Sequence, residues 1–360
     1  MAVLNKIRIE NFRGFDSLEL NELGRINVLL GRNNCGKTSV LEALFLLIGM
    51  SNPGLPENIN RLRGILSSES NNMNTLKYLF HDLNLAISPI ITGNLKGQIR
   101  KLKLEPYYKA SLGEDLKDNS FDSYTTSSSV QELNGLKLEF SISESGRSKK
   151  YESVYSVSGG RIEHRIPKDY IENLRAIFIQ SGSKDSLSLL NNYSELVKKK
   201  KDHIVLETIQ NFDKRVESIQ ALHDGIYLGL KGIDELVISN IAGDGIRRYL
   251  NIITTVANLS NGVILIDEIE NGLHYSAFRL LWESILSVCE TTNSQLFITT
   301  HNIETLQMLK CILEEESNAQ YRDWINFYTI AETKEKGTKA YRYTYEGFND
   351  AIDNEIEIRN

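Results

Sequence analysis

The chain has 360 residues, with 41 Lys or Arg against 47 Asp or Glu, a formal net charge of −6. Hydrophobic residues at 41% and charged residues at 24% are the proportions of a globular protein, here long enough for one to three domains. Five prolines exclude collagen-like and proline-rich chains. Three cysteines (Cys35, Cys289 and Cys311) cannot build a disulfide framework and show no metal-ligand spacing.

The longest apolar stretch, 40–50, contains Glu42 and falls far short of the roughly 20 residues that span a bilayer. The N-terminal residues lack the apolar core of a signal peptide. The expectation is a reduced, cytoplasmic protein with no membrane attachment. Mild acidity argues against a histone-like binder and leaves room for a local basic groove.

In chain order, Ile7 and Ile9 share one face of a predicted strand, and Leu18 and Leu20 repeat the alternation after Gly14. The apolar run Ile26 to Leu30 suits a central strand buried on both faces. Residues 37–50 predict a helix apolar on nearly all sides, and therefore buried. Residues 51–90 predict mostly helix, broken by Pro53 and Pro56.

Strands are predicted at Gln98 to Leu104, Leu136 to Ile142 and Tyr151 to Val157, around a Ser/Thr-rich loop from Asn119 to Ser129. Residues 184–222 turn helical and charged. Then strand and helix alternate: Val263 to Asp267, helix 275–290, Leu296 to Thr300, helix 302–314. A hairpin around Gly337 and an acidic tail follow. That alternation predicts a largely parallel sheet. No fixed-period repeat and no long heptad run is present.

The first chemical motif is Gly31-Arg32-Asn33-Asn34-Cys35-Gly36-Lys37-Thr38, followed by Ser39, which matches the P-loop pattern. The two glycines let backbone amides curl into an anion nest, and the next helix offers its N-terminus to phosphates. Lys37 can reach the β and γ oxygens of ATP, and Thr38 offers a hydroxyl to Mg²⁺. Cys35 reads as a small filler whose oxidation would obstruct nucleotide.

The second motif is Val263-Ile264-Leu265-Ile266-Asp267-Glu268, four apolar residues and then two acids. Asp267 at a strand end would hold Mg²⁺, and Glu268 would polarise the attacking water. The third is a buried strand running into His301, where an imidazole can hydrogen-bond a γ-phosphate.

These motifs, with the opening Ile7-Arg8-Ile9-Glu10-Asn11-Phe12-Arg13-Gly14-Phe15, resemble the ABC-type ATPase heads of the SMC, RecF and OLD (overcoming lysogenization defect) group. The resemblance implies an α/β P-loop NTPase fold with a mostly parallel central sheet, a β-rich N-terminal edge and an inserted β/helical lobe. It is expected to fill 1–360 as a single head. Residues 1–50 and 255–360 would form the nucleotide-binding lobe, 51–180 the insertion and 181–254 a helical lobe with the signature motif.

The resemblance further implies two heads that dimerise face to face around two ATPs. It casts Gln180 as the glutamine that senses Mg²⁺, and Arg13 as an arginine near the nucleotide. Gly243, Asp244, Gly245 and Arg247 fall in the signature segment that would cap the partner's γ-phosphate. Asp244 stands where transporter-type signatures carry Ser; its charge needs compensation by Mg²⁺, Arg247 or Arg248. Compact OLD-like ATPases resemble this Gly-Asp-Gly form. Glu270 to His274 fills the D-loop position, which would meet the opposite subunit.

Long coiled-coil arms are absent between the two Walker motifs, which separates the chain from SMC proteins. Only 59 residues follow His301, so no Toprim nuclease domain is expected in cis. The leading expectation is an ATP-gated switch that dimerises and controls a separate nuclease or toxin in anti-phage defence. A RecF-like DNA-repair ATPase is the alternative, and a transporter subunit fits the motifs less well. Basic stretches (Lys96, Arg100, Lys101 and Lys103; Arg147, Lys149 and Lys150; Lys198 to Lys201) are the candidate DNA contacts.

Overall fold

The structure, a computed structural model, describes residues 4–65, 72–110, 131–158, 161–182, 186–333 and 337–354. The Ser/Thr-rich stretch from Asn119 to Ser129 lies outside them.

Leu4–Phe12 (β1) and Phe15–Asn21 (β2) pair antiparallel, turning through Arg13 and Gly14. Ile7, Ile9, Leu18 and Leu20 are buried and Lys6 and Arg8 exposed, as the alternation predicts. Ile26–Leu30 (β3) is buried throughout and leads through 31–36 into Lys37–Ile48 (α1). In Leu55–Leu62 (α2), Pro56 sits in the first turn, where no N–H partner is lost, so it opens the helix rather than breaking it. Asn72–Leu76 (α3) is a single short helix, followed by 3-10 turns. The mostly helical expectation for 51–90 therefore holds only in part.

Five further strands extend the N-terminal hairpin: Ile90–Leu95 (β4), Gln98–Ala110 (β5), Gln131–Glu144 (β6), Arg147–Ser158 (β7) and Arg161–Arg165 (β8). All join one antiparallel seven-stranded sheet of order β2-β1-β4-β5-β6-β7-β8. The N-terminal edge and the inserted strands are thus one continuous sheet.

Ala176–Ile179 (β9) returns to the nucleotide side, followed by Ser186–Lys198 (α4) and Asp202–Phe212 (α5). The helical expectation for 184–222 ends there. Val216–Leu222 (β10), Gly225–Leu230 (β11) and Val237–Ile238 (β12) make a small sheet, nucleated by the His223-Asp224 turn and by the buried Val216 and Ile219. Ser239–Ala242 (α6), Asp244–Asn258 (α7), Val263–Ile266 (β13), Phe278–Thr292 (α8), Gln295–Thr299 (β14) and Ile303–Glu314 (α9) follow. Ile325–Thr333 (β15), Gly337–Tyr343 (β16) and Tyr345–Asp353 (α10) complete the described chain. The acidic tail is thus partly helix, docked by Phe348 stacking on Phe327 with centroids 3.7 Å apart.

The second large sheet has the order β16-β15-β3-β14-β13-β9. Neighbours from β15 to β9 run parallel and β16 is antiparallel, so the largely parallel expectation holds. Helix α1 lies between the two sheets and shares one core with the inner face of the antiparallel sheet and with Leu29, Val263, Leu265 and Phe297. The other face of the parallel sheet, carrying Val28, Ile264, Ile266 and Ile298, packs against residues of α4, α5, α7, α8, α9 and α10. Every strand end that faces the P-loop is therefore gripped on both sides.

The outer face of the antiparallel sheet alternates in charge. Lys6 pairs with Glu19 at 2.8 Å, Arg8 with Glu10 at 2.8 Å, and Lys103 and Lys137 both pair with Glu105. Arg100 belongs to the opposite face: it is 3% exposed, pairs with Glu172 and donates to the Ile48 carbonyl at 3.2 Å. The basic stretch on β5 is therefore split between a solvated face and the core.

Arg100→Ala strands Glu172 and the Ile48 carbonyl, an expected loss of about 3–5 kcal/mol for a broken buried pair. Lys101→Ala, one residue on and exposed, should stay within about 0.5 kcal/mol. Denaturant midpoints of the two variants check the contrast.

Candidate nucleotide site

The P-loop is built from conformations that the ordinary residues disfavour. Gly31 has φ 142° and Gly36 φ 97°. A side chain at Gly31 would strike the Ile330 carbonyl, and one at Gly36 the Phe15 ring, so both positions require glycine. Gly36 caps α1, whose first N–H groups open toward the loop.

Lys37 is 8% exposed and folds back over the loop, donating to the carbonyls of Gly31 at 2.7 Å and Arg32 at 2.8 Å. Its ammonium is thereby held across the loop mouth. Cys35 lies beside it, 4.0 Å from the Lys37 Nζ. Arg32, Asn33 and Asn34 form the exposed rim.

Thr38 Oγ1 donates to Asp267, 3.0 Å from Oδ1 and 3.2 Å from Oδ2. Thr299 Oγ1 donates to the same Oδ1 at 2.8 Å and accepts from the Glu268 N–H at 2.7 Å. The ends of β3–α1, β13 and β14 thus meet on one carboxylate. Burial pushes the Asp267 carboxyl above its ordinary range, against the two hydroxyl bonds.

Glu268 follows with φ 46°, a left-handed conformation that costs a non-glycine residue about 1–3 kcal/mol. Its Oε2 accepts from Ser181 Oγ at 2.5 Å.

Two cavities flank the loop. One, of about 490 Å³, is lined by Arg13, Phe15, Gly36, Tyr78 and Asp82 among others. The other, of about 610 Å³, is lined by Lys37, Thr38, Asp267, Glu268 and Thr299. Asn34, Gly36, Ser39 and Arg63 border both, so the pair forms one path past the P-loop.

Several expected residues sit differently. Arg13 borders the first cavity, but its guanidinium is committed to Glu42 at 2.5 Å, Asn60 at 3.1 Å and the Tyr78 carbonyl at 3.2 Å. Gln180 is not brought to the Thr38–Asp267 pair; its amide donates to the Leu62 carbonyl at the end of α2. His301 lines neither cavity and faces Glu270, 3.1 Å from Nδ1 to Oε1.

Gly243, Asp244, Gly245 and Arg247 stand apart from both cavities at the start of α7. The charge of Asp244 is met by Arg247 at 3.2 Å.

Arg63 was not singled out for the site, and Arg248 was named only as a possible counter-charge to Asp244. Arg63 reaches back from the end of α2 to Glu42 at 2.6 Å and Ser39 at 3.1 Å, bridging the two cavities. No local motif marks it. Arg248 follows Arg247 by one residue, which turns it about 100° around the helix. Its guanidinium is buried and donates to the carbonyls of Gln180 at 2.9 Å, Asp267 at 2.9 Å and Glu268 at 3.1 Å. Burial lowers its pKa, while Asp267, Glu270 and Glu268 counter the shift. The signature helix is thus tied to the backbone that carries the two acids.

A glycine-bounded loop on a buried parallel strand, closed by an acid from the next parallel strand but one, defines a P-loop ATPase. The chain belongs to the family described as "AAA domain, putative AbiEii toxin, Type IV TA system", which matches residues 26–307. It is similar to a Helicobacter pylori protein named ATP/GTP phosphatase, 26% identical over 353 residues, covering 88% of this chain and 90% of that protein. A DNA replication and repair protein RecF from Geotalea uraniireducens is 38% identical over 60 residues, 17% of this chain and 16% of that one. A solved SMC head bound to the C-winged helix domain of ScpA covers 98% of this chain and 100% of that chain at 11% identity and a TM-score of 0.47. No helix among the described residues is long and apolar enough to cross a membrane.

A carboxyl whose pKa is higher in the folded state than unfolded removes stability as pH rises through it. Asp267→Asn is therefore expected to raise the thermal midpoint near pH 7 without nucleotide. The difference should close as pH falls through the raised pKa of the wild-type group toward the ordinary carboxyl range. Differential scanning fluorimetry across that range checks the sign.

Proposed function

We propose that ATP closes two copies of this chain face to face and that closure gates a separate effector, a nuclease or toxin, in anti-phage defence. The observation that carries the reading is the placement of the signature turn. Asp244 is 77% exposed on its side chain and stands apart from both cavities of its own subunit. A helix N-terminus presented in this way is available to the phosphates of another copy. Ile241 at 78% and Tyr275 at 61% exposure flank this turn and the D-loop, and face-to-face association would cover them. The family description names a toxin of a type IV system, which favours a role beside a toxin or its partner.

Lys37 and the loop amides hold the phosphates in this mechanism. The Thr38 hydroxyl and the Asp267 carboxylate are hard oxygen donors, so they fit Mg²⁺, which keeps water and phosphate oxygens as its other ligands. Mg²⁺ would neutralise charge on the β and γ oxygens. Glu268 accepts the proton of the attacking water, and Ser181 holds its carboxylate in place beforehand. His301 donates to the γ-phosphate. Gly243 to Gly245 arrive from the second copy.

The alternative, a RecF-like DNA-binding ATPase, draws on the short RecF match. The alternating charges on the outer sheet face and the buried Arg100 lend it less support. DNA-stimulated hydrolysis with a steep salt dependence would select it.

Lys37→Ala is expected to abolish nucleotide binding, read by fluorescent ATP titration. Glu268→Gln should still bind Mg-ATP, hydrolyse it about 10²-fold or more slowly, and accumulate as a dimer in size-exclusion chromatography. A Glu268→Gln chain that stays monomeric with saturating Mg-ATP would remove the face-to-face reading. A neighbouring nuclease or toxin recovered on the trapped dimer would establish the effector.

A further inference from the structure

Glu270 is a buried acid that the mechanism above does not employ. It is 8% exposed. Its Oε1 accepts the His301 backbone N–H at 3.1 Å and lies 3.1 Å from the His301 Nδ1, an ion-pair contact that is not aligned as a hydrogen bond. Its Oε2 is buried with no hydrogen-bond partner. A buried carboxylate with one oxygen unsatisfied costs stability, and a packed apolar side chain would serve the fold better.

The surrounding backbone is fixed on the same strand end. The Ile269 N–H donates to the Thr299 carbonyl at 3.1 Å, and the Leu273 N–H to the Glu270 carbonyl at 3.0 Å. The acid is therefore held in register with His301, two residues past the end of β14. The His301 side chain is 44% exposed.

We infer that Glu270 is the positioning residue for His301: it anchors the ring through Nδ1 and so presents Nε2 to the γ-phosphate. The inference rests on the reading of His301 as a phosphate contact. An imidazole can face a carboxylate with one ring nitrogen while the other reaches a phosphate oxygen. Fixing the ring before nucleotide arrives removes an ordering cost from the hydrolytic step. Glu270 also lies at the head of 270–274, the segment that meets the second copy in the proposed dimer. It therefore connects that contact to the histidine through a single side chain.

The test is steady-state ATP hydrolysis by wild type, His301→Ala, Glu270→Gln, Glu270→Met and the double variant Glu270→Met/His301→Ala. Thermal midpoints and ATP affinities are measured alongside. Glu270→Met should lower kcat about 10–100-fold, the usual effect of removing a partner that orients a histidine, with KM for ATP unchanged. Glu270→Gln keeps an acceptor for the backbone N–H and should lose less. The double variant should be no slower than His301→Ala alone, and Glu270→Gln should move the His301 Nδ1 resonance in ¹⁵N spectra. Losses that multiply in the double variant overturn the inference, as does a kcat that tracks the thermal midpoint across the series. If His301→Ala is impaired and both Glu270 variants are not, the inference alone falls. If His301→Ala hydrolyses at the wild-type rate, the reading of His301 falls with it.

Discussion

One buried carboxylate organises the site. Asp267 accepts hydrogen bonds from Thr38 on the first turn of α1 and from Thr299 at the end of β14. Its own backbone N–H donates to the Ile179 carbonyl at the end of β9. Four segments distant in sequence are thus brought into one frame by a single residue. The hydroxyl bonds are what make a charge tolerable there, since burial alone works against it. Glu268 inherits its position from this arrangement, because Thr299 also receives its N–H.

A second layer of the site consists of arginines that hold other protein groups. Arg13 and Arg63 grip Glu42 inside α1, directly behind the P-loop. Arg248 grips three carbonyls on the loops that carry the acids. Guanidinium suits this work because its planar fork donates in several directions at once. The positive charge beside the P-loop is therefore partly structural, and Lys37 too donates to backbone carbonyls, those of Gly31 and Arg32.

The P-loop and the Asp267-Glu268 pair were legible because the chemistry they suit needs contiguous residues. Gly31 to Thr38 must be one loop, and Asp267-Glu268 must end one strand. The burial of α1 was also legible, since its apolar residues leave no polar face. What acts across space was not. Nothing local marks Arg63, and Arg248 differs from Arg247 only in which side of the helix it takes. The joining of β1 to β4 depends on a pairing between residues such as Ile9 and Ile91, far apart in sequence. Val216 to Leu222 followed two charged helices and carried too few alternating residues to separate from them. Gln180 stood at the expected strand end, yet the Leu62 carbonyl took its amide, a partner that only the packed fold reveals.

Helix α1 has a sheet on each side, and ten of its twelve residues are buried. It has no wet face on which sequence can drift. Close-packed interiors tolerate volume-conserving exchanges and little else. The helix that begins with Lys37 is therefore constrained over its whole length by neighbours that lie away from the P-loop. Divergence among relatives should accumulate instead on the solvated outer sheet, where a charge can be exchanged for its opposite without disturbing anything beneath it.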